Sequence, residues 1–179
     1  MFYTPGWGAV LTLTGTLGGV TLTQAVNSAV SWRARRKERN ASVTKAVSEL
    51  IGSAQAWVYA TSAQEQDLFR DVATRVPEPQ LTETLVSARA SVYSAQLAFG
   101  SAIAAVRLTC PPKVVSAAED VHKAVQNFED VTRAKGAAAL KVRSVDGLEG
   151  TNPAGVIGPV DRLVDVTRRA TGFGDRQKR

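Results

Sequence analysis

The sequence predicts an all-α protein: an N-terminal transmembrane helix followed by an antiparallel three-helix bundle, with a short fourth helix as an optional addition. Three observations carry this. No Asp, Glu, Lys or Arg occurs from Met1 to Trp32. Beyond that stretch, apolar residues recur at three- and four-residue steps, the period of a helix with one buried stripe. No run shows the period-two alternation of a half-buried strand. Aromatics make up only 6 % of the chain, and alanine and valine supply most of the apolar side chains, which suits closely packed helices.

The first element is the uncharged run from Gly6 to Ala29. As a helix it measures about 36 Å at ~1.5 Å per residue, against a hydrocarbon core roughly 30 Å thick. Trp7 and Trp32 bracket it at the positions where aromatic rings meet lipid headgroups. Its composition is mixed, because Thr12, Thr14, Thr16, Thr21, Thr23, Gln24, Asn27 and Ser28 are polar and Gly8, Gly15, Gly18 and Gly19 add no apolar surface. A cleavable export signal fits less well, since its basic residues should precede the apolar run. A helix buried within a protein oligomer is the other alternative.

Arg33, Arg35, Arg36, Lys37 and Arg39 follow at once, against the single acid Glu38. Such a cluster reads as a stop-transfer anchor facing anionic lipid. By the positive-inside tendency it places the N-terminus outside and the rest of the chain in the cytoplasm, a single-pass protein of the cell membrane with the bilayer as its first partner. Gly15 and Gly19 form GxxxG, with Thr23 on the same face. Small residues four apart let helices approach closely, so this face predicts self-association.

From Asn40 the reading is helical. Val43, Ala46, Val47, Leu50, Ile51, Ala54 and Val58 form one stripe, which resumes at Leu68, Val72 and Val76 before "VPEPQ" ends the helix. Leu81, Leu85, Ala88, Val92, Ala95, Phe99, Ala102 and Val106 alternate four- and three-residue steps, a coiled-coil-like seam for a neighbouring helix. "TCPP" closes that helix and opens a third, where Val114, Ala118, Val121, Val125 and Phe128 keep the spacing. Glu119 and Lys123 stand four apart, as an exposed ion pair would. From Gly136 the signal weakens: "SVDGLEGTNPAG" reads as a surface loop, Val156, Val160, Leu163, Val164 and Thr167 as a short amphipathic helix, and the end of the chain as a flexible basic tail. The organisation is therefore 1–32 membrane segment, 33–39 polybasic segment, 40–135 helical bundle, and 136–179 loop, short helix and tail. Two short breaks between long helices favour antiparallel neighbours.

Chemistry-bearing patterns are sparse. His122 is the only histidine and Cys110 the only cysteine, so an internal disulfide and a CxxC metal site are both excluded. His122 reads as a surface residue, and Cys110 has no placed base to make it a nucleophile. Glu119–Asp120 and Glu129–Asp130 are neighbours in sequence and diverge by about 100° around a helix, so neither is a paired-carboxylate site; solvated faces explain them. "GTLGG" lacks the GK[ST] of a phosphate loop. Trp57 and Tyr59 read as packing residues. No catalytic, cofactor or metal residue is expected, and no cofactor. The net charge of +6 sits largely between Arg33 and Arg39. That distribution is a poor footprint for a nucleic-acid binder, which spreads basic residues over a face.

The arginine-rich "RARRKERN" after an N-terminal span, with the junction "SAIAAVRLTCPPKVVSAAEDVHKAV" between two alanine- and valine-rich helices, resembles small single-pass membrane proteins of actinobacteria and their phages, over about residues 7 to 135. The resemblance is compositional and carries no functional residue. It implies a non-enzymatic, membrane-anchored interaction or regulatory protein, of a kind suspected in some phage-encoded cases of excluding other phages. Such a protein would have an unnamed cytoplasmic partner and would associate with itself through the N-terminal helix. The alternative is a soluble helical oligomer or structural component whose first helix packs against protein.

Overall fold

The computed structural model describes residues 7–145 and 147–172, with side chains from Ser31 onward. Among the described residues there are four α-helices and no strand: α1 Trp7–Ala73, α2 Glu78–Thr109, α3 Pro112–Val142 and α4 Ala154–Thr171. The chain divides into two compact units, Met1–Ala41 and Ser42–Arg179.

Among the described residues no helix is long and apolar enough to cross a membrane. This overturns the expected transmembrane helix, and with it the single-pass location in the cell membrane. The threonines, Gln24, Asn27 and the glycines of the first run are the physical reason, since they dilute its leucines, valines and alanines. The side chains of Trp7, Gly15, Gly19 and Thr23 lie outside the described residues, and so do residues 173–179 of the tail.

The second unit is a helical bundle. α1 ends where Arg75 enters the left-handed region (φ 55°). There Val76 N–H donates to Asp71 O (3.0 Å) and Arg75 N–H to Val72 O (3.2 Å), the paired bonds of a Schellman cap. α2 and α3 each start on prolines, Pro77 with Pro79 and Pro111 with Pro112, where a missing N–H costs nothing. Contacts fix the directions. Arg143 meets Glu78, Gln96 meets Glu129 and Arg107 meets Glu119, so α2 and α3 run antiparallel. Arg162 of α4 reaches Asp120 of α3 at 3.5 Å. Glu119 thus pairs across helices with Arg107 (2.7 Å) rather than with Lys123.

The core is built from the expected stripes. Leu50, Ala54, Val106, Val114, Ala118, Val121, Val125 and Leu163 are all at most 1 % exposed, and Val43, Ala46, Val47, Phe99, Ala102 and Phe128 are buried with them. At about 25 cal/mol per Å² of apolar surface removed from water, these residues supply the main drive for folding. α3 continues past Gly136 to Val142 because Gly136 and Ala139 are buried against the bundle. At Gly136 an added Cβ would lie 2.9 Å from Leu68 Cδ2, so the end of the Leu68 side chain from α1 fills the space that the glycine leaves.

Candidate functional site

Three surfaces merit description as sites: a polar cluster between the first three helices of the bundle, the outer face of α2, and the basic segment.

In the polar cluster, Trp57 on α1 is buried and packs edge-on against Phe99 of α2, centroids 5.3 Å apart. His122 of α3 lies 5.3 Å from Phe99 and is half-buried. It is therefore part of an aromatic contact and not the surface residue expected from its neighbours in sequence. Below this contact the Glu129 carboxylate accepts hydrogen bonds from Trp57 Nε1 (2.9 Å), Gln96 Nε2 (2.6 Å) and Arg133. Glu129 is buried, which corrects its assignment to a solvated face. One carboxylate of α3 thus ties α1 through Trp57 and α2 through Gln96, while Arg133 of its own helix supplies the third donor. A buried acid is tolerable only when its lone pairs are met in this way.

A cleft of about 490 Å³ opens beside the cluster, its walls including Thr61 and Leu68 of α1, Leu85 and Arg89 of α2, and Thr132 of α3. Thr61 Oγ1 is buried and makes no hydrogen bond. Glu65, one turn further along α1, is buried and accepts from Thr151 N–H (2.8 Å) and Thr151 Oγ1 (2.7 Å). Both buried acids therefore have structural duties. Cys110 is half-buried with Thr109 Oγ1 at 3.6 Å, and among the described residues no base stands against it. Among the described residues no group of three His, Cys, Asp or Glu side chains is arranged to hold a metal ion.

The outer face of α2 has a different character. Val86, Ala90, Tyr93, Leu97, Ser101, Ala104 and Leu108 follow steps of four, three and four residues, and every one is exposed. The large members are exposed, Val86 by 65 %, Tyr93 by 61 %, Leu97 by 56 % and Leu108 by 87 %, and Val86 and Tyr93 also form the rim of the cleft. From Ala90 to Val106 the helix bears no charged residue on any side. The inner seam of α2 was legible in the sequence, and this second stripe was hidden behind it.

In the first unit, Trp32 is exposed and the Arg36 guanidinium lies 5.4 Å from its ring centroid, a cation–π contact. Arg35 donates to Ser31 O and Ser31 Oγ, both at 3.3 Å. Arg33, Arg35, Arg36, Lys37 and Arg39 are all exposed.

No protein-family model matches the chain, and neither a curated protein nor a solved structure matches it.

Proposed function

We propose that this chain is a helical interaction module with no reaction of its own, which docks a macromolecular partner on the outer face of α2. The observation that carries the reading is the charge-free stripe from Val86 to Leu108. A solvated helix face is ordinarily studded with Lys, Glu and Arg; here four large apolar side chains stand in water along about 33 Å of helix at ~1.5 Å per residue. Contiguous exposed apolar surface of this kind marks an interaction site. The polar cluster supports the same role differently. The Glu129 bonds hold α2 at a fixed rotation on α1 and α3, so the stripe is presented outward on a rigid support, as a docking face requires.

The test is site-specific photo-crosslinking. A photoreactive amino acid replacing Leu97 in the full-length chain, expressed in its native cell, is expected to give discrete protein adducts. The same group replacing Asn127, an exposed residue of α3, is expected to give none. Absence of adducts from position 97 overturns the reading.

A further inference from the structure

We propose that the partner seated on α2 is a second copy of this chain, its α2 running antiparallel to the first with Leu97 at the twofold axis. This rests on the interaction reading above and names its partner.

The stripe is complementary to itself in size when reversed. With Leu97 facing Leu97 of the second copy, the register sets Val86 opposite Leu108, Ala90 opposite Ala104, and Tyr93 opposite Ser101. Large meets large at the two ends and the centre. The Tyr93 ring is covered by the small Ser101, and alanine meets alanine on the levels between. A parallel in-register pair fails this check: Tyr93 would meet Tyr93 on one level and Ser101 would meet Ser101 two turns on, one level overfull and the next empty. In the antiparallel pair every contact occurs twice, as an isologous interface demands.

Charge agrees with shape. On the stripe's own face Glu83 stands one turn before Val86, and Lys113 opens the next helix, both exposed. Glu78 and Arg107 are already paired within the chain, with Arg143 and Glu119, and Arg89 lies beside the stripe on the cleft wall. Antiparallel pairing sets Glu83 of each copy toward Lys113 of the other and opposes the helix dipoles, whereas parallel pairing sets Glu83 on Glu83. No charged side chain between Ala90 and Val106 has to be desolvated along the way. A stripe one residue-row wide makes a small interface, so the dimer is expected to be concentration-dependent.

The experiment uses the full chain. Sedimentation or light scattering is expected to show mass rising from the 19.0 kDa of one copy to twice that value as concentration increases. Leu97→Glu and, separately, Ser101→Glu should each hold the chain monomeric without loss of helicity or of thermal midpoint, because both positions are exposed. Direction is read from disulfides in a Cys110→Ser background. Leu97→Cys should cross-link with itself on mild oxidation. Val86→Cys alone should not, but should link to Leu108→Cys when the two variants are mixed, since a disulfide needs Cα atoms within about 7 Å. Self-linking by Val86→Cys would establish a parallel pair and overturn the proposal. So would a chain that stays monomeric up to about 1 mM, a concentration at which even a weak pair associates. If that monomer nevertheless gives adducts of another protein from position 97, the self-pairing falls while the interaction reading stands; if it gives no adducts, both fall.

Discussion

At Glu129 three donors converge on one buried carboxylate, and their values follow from what each leaves behind. Trp57→Phe keeps one aromatic ring beside Phe99 but removes the Nε1–H bond at 2.9 Å and the second ring of a buried side chain. A hydrogen bond to a charged acceptor is worth about 1.5–3 kcal/mol and the cavity adds to it, so urea unfolding should register a loss of at least that size with the folded far-ultraviolet spectrum intact. Thr61 is the opposite case. Its hydroxyl is buried without a hydrogen bond, so Thr61→Val, which swaps the hydroxyl for a methyl group, should raise stability by about 1 kcal/mol in the same assay. The sequence concealed Glu129 because an acid beside Asp130 and four residues before Arg133 looks solvated. One signal was present: Val121, Val125, Glu129 and Thr132 continue the core spacing of α3, and an acid on that spacing asks for buried donors. His122 was misplaced for a similar reason, since its half-buried contact with Phe99 depends on how α2 and α3 are rotated, which no local pattern records.

Helix by helix, the inner stripes of α2, α3 and α4 were legible because apolar period alone fixes which face is buried. Two features were not, and both arise from contacts between helices. One is the extension of α3 to Val142, past the glycine where the periodic signal weakens, which the burial of Gly136 and Ala139 explains. The other is the outer stripe of α2, since a helix apolar on two sides gives one periodic signal, and the eye assigns it to the core. The contrast between Gly52 and Gly136 turns this into a measurement. Gly52 sits mid-helix with nothing within 4 Å of an added Cβ, so Gly52→Ala should gain about 0.5–1 kcal/mol from helix propensity. Gly136→Ala makes the same local gain but has to turn the Leu68 terminal methyl aside, toward the cleft that both residues line. Its thermal midpoint should therefore rise less than that of Gly52→Ala. Two midpoints that rise by the same amount would show that Leu68 Cδ2 does not press on Gly136. At the end of α1, Arg75 occupies the left-handed position of the Schellman cap, where glycine avoids the Cβ clash. Arg75→Gly is accordingly expected to stabilise the chain slightly, by a few tenths to about 1 kcal/mol.

Over the whole second unit, the connection between α3 and α4 is where the sequence signal was weakest and where a distant residue takes over. Nothing local in "SVDGLEGTNPAG" specifies a conformation beyond its glycines and proline. The loop is instead held from outside. Thr151 gives both its N–H and its hydroxyl to Glu65 of α1, eighty-six residues earlier, and Lys135 of α3 donates to Glu149 O at 2.8 Å. Just past this anchor Asn152 Oδ1 accepts from Ala154 N–H (2.9 Å) and turns the chain into α4. α4 then buries Val156, Leu163, Thr167 and Thr171. Glu65 is thus the point through which the first helix positions the last connection. Glu65→Ala removes both acceptors and leaves Thr151 N–H without its protein partner. Since Leu163 packs independently of Glu65, α4 should stay folded while the loop loosens. Hydrogen exchange should quicken, and proteolysis should appear, between Ser144 and Pro153, with little change in α4. Glu65→Gln, which keeps one carbonyl acceptor, should fall between the variant and the parent. Equal protection of the loop in all three proteins would mean that Lys135 and the turn residues suffice, and that the buried carboxylate owes its place to something other than the loop it touches.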